Sequence, residues 1–518
     1  MNKFFVTHKK LKISSLAIFS LVLIIENTLG ILKTSDWQLK NTIALILGNL
    51  LIFITAAYLI FLFKTAKNLN QLSSDKVAKY YKWSLIILSL ALLIVPFFFI
   101  VHVPHSKHDW DFFVIYRDTN LLQGQTFDHL PMTENERLYF LRYPNNQFFG
   151  IVYNFVFAAL SKIMPKIIAL TAVAAIFTSV SLIAGSLLVK KIADKKMGLL
   201  FNLVAFGFLP LYVYGAEFYT DTASLPFVIG GLLFIVYAIK AEKMSRQILW
   251  WTFASLVIFI GYYIKPTVAF SLIAAMLFLL LNRKWKKLML AVPITLLLFV
   301  GVHEGVKTII ASDPAFTAKA NDRYNLPLIH WVTMSFAPGN KSGGFDPNVL
   351  AYSEGFTSKA AKQTADLQLL EVNLKQQGVT GFLVQLGRKI SYTWFNGDLR
   401  DFFYTYRHAN PLVSRYFDWV STKNPEDNAT GWFLLNGAQT LYWIALVFFM
   451  WYGIFLSLFK KWKSVWFILG LSMLALTGFL LVWEANSRYL YNFAPIFLAL
   501  ATMGGINFLN GTEKKKKV

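Results

Sequence analysis

The sequence has no cysteine in its 518 residues, which excludes disulfides, thiolate metal ligands and cysteine nucleophiles. Charge is scarce as well. Only 15% of residues are Asp, Glu, Lys or Arg, and the 27 acids are outnumbered by 50 bases. Apolar surface takes their place. With 56% hydrophobic and 17% aromatic residues, a water-soluble fold could not hide its apolar side chains, so the chain reads as an all-α polytopic membrane protein. Glycine-rich phosphate loops of the dinucleotide-binding or Walker kind are missing, and so is any internal repeat. A net charge of +23 would suit a nucleic-acid binder if it formed one patch, but the Lys and Arg residues sit in short links between apolar runs. That is the positive-inside pattern, and the expected partner is the lipid bilayer, with no nucleic acid.

A helix needs about 20 apolar residues to cross the hydrocarbon core. Candidate runs lie near 13–32, 42–63, 84–103, 147–163, 167–189, 198–215, 223–240, 248–264, 266–281, 288–306, 437–458, 465–483 and 489–508. They predict a bundle of about 12–13 transmembrane helices. The first run follows Lys9, Lys10 and Lys12 without a small-x-small cleavage site, so an uncleaved span is expected. Basic links between Lys64 and Lys82 and after Lys190, Lys240, Asn282 and Lys460, with the Lys514–Lys517 tail, mark the cytoplasmic face. The polar stretches 104–146, Glu217–Asp221, Lys265, 307–436 and Glu484–Arg488 then face outward. Counts from the two ends differ by one crossing between residues 147 and 197. Either one run there is not a full span, or a basic end breaks the rule.

Three regions follow: a transmembrane module at 1–306, an extracytoplasmic insertion at 307–436, and C-terminal transmembrane helices with a basic tail at 437–518. Within the insertion, FAPGNKSGGFDPN reads as turns, and a helix is expected from Thr357 to Gln377, closed by Gly378. Beyond it Phe382, Leu386, Ile390 and Trp394 recur at helical spacing beside Arg388 and Lys389. That pattern suits a helix lying on the membrane surface, or equally one packed on a small core of its own.

The loop at 104–146 holds the densest chemistry. Asp109 and Asp111 follow the third apolar run, and Tyr143 and Asn145 lie where the chain re-enters the next. A carboxylate at the membrane edge can serve as a general base toward a hydroxyl; a solvated or turn-capping acid is the ordinary role of a loop aspartate. Glu217 and Asp221, in GAEFYTDTASLPF, stand at another span boundary, where ionisable groups are costly. Asp221 also suits a helix N-cap. Joined by a loop carboxylate, these two would offer the oxygen ligands that Mg or Mn prefers. Lys265, ahead of Pro266, and Arg488, followed by Tyr489, are the cations of the same face. Either can simply snorkel to the surface, and either can grip a phosphate. His330, in LPLIHW, is a lone histidine, most simply a hydrogen-bonded side chain and otherwise a substrate contact.

Four segments, DWDFFVIY with YFLRYPNN, EFYTDTASLPF, the IKPT step and SRYLYNFAP, together resemble the GT-C-type membrane glycosyltransferases that use polyprenyl-phosphate sugars. That group includes the protein O-mannosyltransferases and aminoarabinose transferases. The likeness is narrower to an uncharacterised integral-membrane branch of low-GC Gram-positive bacteria, where PLIHW also fits. The resemblance implies a GT-C-like bundle with a long first catalytic outer loop. Asp111 would be its base, with Asp109 as runner-up. An extra pair of spans precedes the loop here, a departure from many relatives. Taken with the outward-facing cations, the expected activity is inverting transfer of a sugar from a polyprenyl-phosphate donor to a cell-surface glycan, glycolipid or protein. Lys265, Arg488 and Tyr489 would hold the donor phosphate, and Tyr143, Asn145, Glu217, Asp221 and His330 would bind substrate or metal. The expected location is the bacterial cytoplasmic membrane, with the site facing outside. The alternatives are a flippase, which would need charges along a path through the bilayer, and a polymerase or ligase of lipid-linked glycans.

Overall fold

The computed structural model describes residues 39–99, 111–133, 136–401 and 425–514, together with 21–22 and 24–25. Asp109, most of the first apolar run and the end of the lysine tail lie outside these residues. The described chain is all-helical. Its main helices are α1 (Leu39–Asn68), α2 (Ser74–Phe98), α3 (Asp111–Leu122), α4 (Gln147–Leu160), α5 (Lys166–Ile192), α6 (Lys195–Phe206), α7 (Thr220–Lys240), α8 (Met244–Ile264), α9 (Phe270–Leu281), α10 (Trp285–Ala311), α11 (Lys359–Trp394), α12 (Pro425–Phe455), α13 (Trp466–Val482) and α14 (Ala494–Lys514). Among the described residues eight helices are long and apolar enough to cross a bilayer, and two shorter apolar helices, Pro266–Leu281 and Trp466–Val482, accompany them.

The run at 147–163 is where expectation and structure part. It forms α4, only 14 residues long, or about 21 Å at 1.5 Å per residue, against a core of about 30 Å. Its middle and the turn that follows it are tied back to the 104–146 loop. Asn154 of α4 donates to the Gln125 carbonyl (2.7 Å) and accepts from the Gly124 N–H (3.0 Å). After the turn, Lys166 donates to Thr119 Oγ1 at 2.9 Å. The full span in this stretch is α5, of 27 residues. α5 is thus the candidate crossing of this stretch, and α4 by itself is too short for one. The run at 198–215 is also broken, into α6 and a short helix, Pro210–Tyr214.

The loop itself is packed. α3 buries Phe112, Phe113, Val114 and Ile115 in a cluster with Phe127, Phe140, Tyr153 and Phe218, separate from the main core of the bundle. The main core brings α12 and α14 together through glycines: a Cβ at Gly453 would collide with the Leu500 carbonyl, and one at Gly504 with the Phe449 carbonyl.

In the insertion, α11 bends at Gly378, whose φ of 60° and ψ of −176° interrupt the helix. Glycine takes this left-handed φ without a Cβ penalty. Beyond the bend the inward side is not the stripe expected from spacing. Gln385, Lys389, Thr393 and Trp394 are buried, whereas Ile390 is exposed. Lys389 turns inward because carbonyls there need donors: its ammonium bonds the Trp483 carbonyl at 2.7 Å and Ser335 Oγ at 2.8 Å.

Overpacking costs about 1–3 kcal/mol in a tight core. We expect Gly504→Ala to lose about that much, read as a lower melting temperature in detergent. Gly301, where an added Cβ meets nothing within 4 Å, should tolerate alanine. Equal melting of the two variants would refute the close α12–α14 approach.

Candidate functional site

Asp111 opens α3, where a carboxylate is favoured by the unpaired N–H groups of a helix start. Its side chain is 36% exposed, and both oxygens are held. Tyr139 donates to Oδ1 at 3.2 Å and Tyr219 to Oδ2 at 3.0 Å. Tyr139 comes from the short helix Arg137–Arg142, and its hydroxyl accepts from Asn146 Nδ2 at 2.7 Å. Asn145, the residue expected at the site, is exposed and reaches this network only through Asn146, donating to its Oδ1 at 3.1 Å. Tyr219 immediately precedes α7.

Behind Asp111 the charges alternate. Arg488 Nη2 lies 3.3 Å from Asp111 Oδ2, and its Nη1 lies 3.7 Å from Asp221 Oδ2. Asp221 is paired on its other oxygen with the Lys265 ammonium. Arg488 and Asp221 are almost completely buried, a state that charged groups tolerate only when paired. Local sequence explains each position. Asp221 lies in the first turn of α7, although it does not serve as the N-cap. Lys265 follows α8 in extended backbone, with φ −152° and ψ 113°, the conformation that a following proline favours. Arg488 sits in the 3-10 turn Ser487–Phe493, its N–H accepted by Asn486 Oδ1 at 3.1 Å. Tyr489 joins the two cations: Lys265 Nζ lies 4.8 Å from its ring centre and the Arg488 guanidinium 5.5 Å.

Two further carboxyls surround this chain. Glu217 is 1% exposed, and neither of its oxygens finds a hydrogen-bond partner among the described residues. Burial pushes its carboxyl well above the ordinary value, and the Arg488 charge only partly opposes that. It stands behind the network, not on its open side. Glu484 was placed on the outer face by sequence but given no role. Burial first, then the charge of Asp111, pushes its carboxyl up to about 7, against Arg488, a hydrogen bond with Tyr489, and Lys265. The signal that could have found it is its place at a span edge four residues before Arg488.

Tyr143 forms a wall beside Tyr139 (ring centres 5.1 Å apart), and burial raises its hydroxyl above the ordinary value. Across from it stands Trp331, at 6.2 Å, which stacks on Trp483 at 5.1 Å and 12°. His330 itself points away into the insertion. Its Nδ1 lies 2.8 Å from Ser353 Oγ, which donates to Asp366 Oδ1 at 2.6 Å. Serine, histidine and aspartate here look like a hydrolase set, yet the serine stands between the other two and all three are buried. Burial, then Lys362 and Arg142, pushes the imidazole down to about 4, as befits a neutral hydrogen-bonded core histidine.

Among the described carboxylates the places a divalent cation would take are filled by side-chain cations. Among the described residues no three Asp, Glu or His side chains gather at ligand spacing. The place of the positive charge between Asp111 and Asp221 is taken by a guanidinium, and the remaining oxygen of Asp221 by an ammonium.

The protein family described as "Conserved hypothetical integral membrane protein" matches residues 5–505. No curated protein matches the sequence. Among solved structures, the chain is similar to the archaeal oligosaccharyltransferase AglB from Archaeoglobus fulgidus in complex with an inhibitory peptide and a dolichol-phosphate. Identity is 14% over 83% of this chain and 50% of that one, with a TM-score of 0.41. It is also similar to ArnT from Cupriavidus metallidurans bound to undecaprenyl phosphate, at 10% identity over 84% of this chain and 78% of that one, with a TM-score of 0.36. The chain thus spans half the length of the archaeal enzyme. Likeness at this level is distant, and the reading of the site rests on its own geometry.

The raised Glu484 carboxyl has a consequence for stability. A carboxyl lifted from 4.5 to about 7 on folding binds its proton more tightly in the folded state, so stability falls as pH rises through that window. Glu484→Gln removes the titrating group. We expect its melting temperature to gain on the parent between about pH 5 and about pH 8, measured by thermal unfolding in detergent. A constant difference across that range would show that Glu484 does not titrate there.

Proposed function

Because the chain belongs to the family of conserved hypothetical integral membrane proteins and is an integral, multi-pass membrane protein, we propose that its site works on a lipid-borne substrate. The reaction is inverting transfer of a sugar from a polyprenyl-phosphate carrier to a cell-surface acceptor, at the outer face of a bacterial cytoplasmic membrane. The reading is carried by one observation: a partly exposed carboxylate, fixed by two tyrosines, stands directly in front of two cations at one end of a membrane bundle.

Asp111 is the general base. Its two tyrosine bonds fix the direction of the carboxylate, and its exposed side takes the proton of the acceptor hydroxyl as that oxygen attacks the anomeric carbon. The bond from the anomeric carbon to the phosphate oxygen breaks, and its electron pair stays on the phosphate. Arg488 and Lys265 compensate the growing negative charge. They are preorganised for it, since Asp221 and the Tyr219 and Tyr489 rings already hold them in place. Asp221 is thus a positioning residue. The buried charges of the site gather at one end of the bundle, which favours transfer over passage of a headgroup through the bilayer. A ligase acting on a lipid-linked oligosaccharide would use the same groups on a larger donor.

In membrane vesicles supplied with lipid-linked sugar, Asp111→Asn is expected to lower transfer by about 10²–10⁴-fold, the usual worth of a general base. Protein amount and membrane insertion should stay unchanged, while melting should fall with the loss of the Asp111–Arg488 pair. Near-parental turnover would remove Asp111 from the chemistry. Arg488→Lys keeps the charge but not the planar fork between two carboxylates, and transfer should fall while Glu484→Gln retains it at low pH. Comparison of surface glycans from a deletion strain and its parent would identify the acceptor.

A further inference from the structure

The bend at Gly378 divides α11 into two helices whose exposed sides differ in kind. Before it, the exposed side carries Lys359, Gln363, Gln368, Glu371 and Lys375, with Leu367 and Val372 among them. After it the exposed residues are mainly apolar: Val379 (78% exposed), Leu383 (60%), Val384, Ile390 and Phe395 (69%). No carboxylate occurs between residues 379 and 397, and of the two cations there, Lys389 is turned inward. Only Arg388 presents charge outward. A helix standing in water does not pair a polar buried side with an apolar exposed one.

The far end of this helix lies in the main core. The Trp394 ring stacks on Trp443 at 6.2 Å and lies 5.6 Å from Trp451, and its carbonyl accepts from Trp443 Nε1 at 2.6 Å. Both partners belong to the membrane span Gly437–Lys460. The buried side of this helix is therefore packed against a candidate membrane span, while its apolar side stays uncovered.

We propose that α11 crosses from water into lipid at Gly378, and that residues 379–395 are embedded in the leaflet at the site's end of the bundle. The occupants of the Val379–Leu383–Ile390 stripe are the acyl chains of that leaflet. Arg388, at the edge of the stripe, extends toward lipid phosphates, as long basic side chains do at an interface. The buried side of the same helix holds the site. Gln385 donates to the carbonyls of Ser335 (3.0 Å) and Asn340 (2.8 Å), and Lys389 to that of Trp483, next to Glu484. A lipid-embedded helix thus forms the side wall behind the turn that carries Glu484 and Arg488. This placement does not depend on the proposed transfer reaction.

The chain has no cysteine, so single labels can be placed without background. Leu383→Cys and Ile390→Cys, with Gln363→Cys and Glu371→Cys as controls, would carry a nitroxide in protein reconstituted into phosphatidylglycerol-containing nanodiscs. Collision with dissolved oxygen and with a water-soluble nickel chelate is then compared. The expected result is severalfold higher oxygen over nickel accessibility at 383 and 390, and the reverse at 363 and 371. Nickel access at 383 and 390 would put the stripe in water and overturn the proposal. Exclusion of both reagents would put protein over it, a second copy included, and overturn it equally. Should either label prevent insertion, Val379→Cys provides the same reading at the start of the stripe.

Discussion

A single guanidinium joins the two halves of this site. Arg488, near the C-terminus, lies between Asp111 of the first large loop and Asp221 at the start of a membrane helix. Three segments distant in sequence thereby share one buried charge, with Lys265 closing the chain on Asp221. Removing one partner of a buried ion pair leaves the other uncompensated, typically at about 3–5 kcal/mol. The arrangement holds because each member depends on the next, so its geometry is fixed before any substrate arrives. Asp111 alone keeps a side open to solvent. The network is closed at its buried end and open at Asp111.

That asymmetry suits chemistry on an anionic substrate. In the proposed transfer, a donor phosphate would have to compete for Arg488 and Lys265 with Asp111 and Asp221, which already share their charge. Such a site would favour a group that offers oxygens to both cations at once, with Tyr489 between them. Glu484 adds a group that titrates near neutrality close to the same charges. Ionised, it adds a further negative charge near Arg488 and Lys265; neutral, it does not.

Much of this was legible in the sequence, for a physical reason. An ionisable residue at the edge of an apolar run is expensive, and Asp111, Glu217, Asp221, Lys265 and Arg488 each stand at such an edge. Pro266 even betrays the extended step that turns Lys265 toward Asp221. What failed to show were residues whose role comes from a neighbour's unmet hydrogen bond. Lys389 reads as a surface lysine beside Arg388, yet the Trp483 carbonyl draws it inward. Asn146, not Asn145, supports Tyr139 because the turn after Pro144 directs one inward and the other outward. His330 takes the hydrogen-bonded place that is the simplest reading of a lone histidine, and its neighbour Trp331 is the ring that faces Tyr143. Spacing reports which residues share a helix face, and it cannot report which side of a bent helix meets lipid.

The shortness of α4 bears on all of this in terms of parity. Each crossing of the bilayer exchanges the sides of everything that follows. Asp111, Asp221, Lys265 and Arg488 meet at one site, so the chain between any two of them crosses the bilayer an even number of times. Lengthened to a full span, the 14-residue α4 would add one crossing, and the carboxylate and the cations would be separated by the full thickness of the membrane, with no residue of the site itself altered.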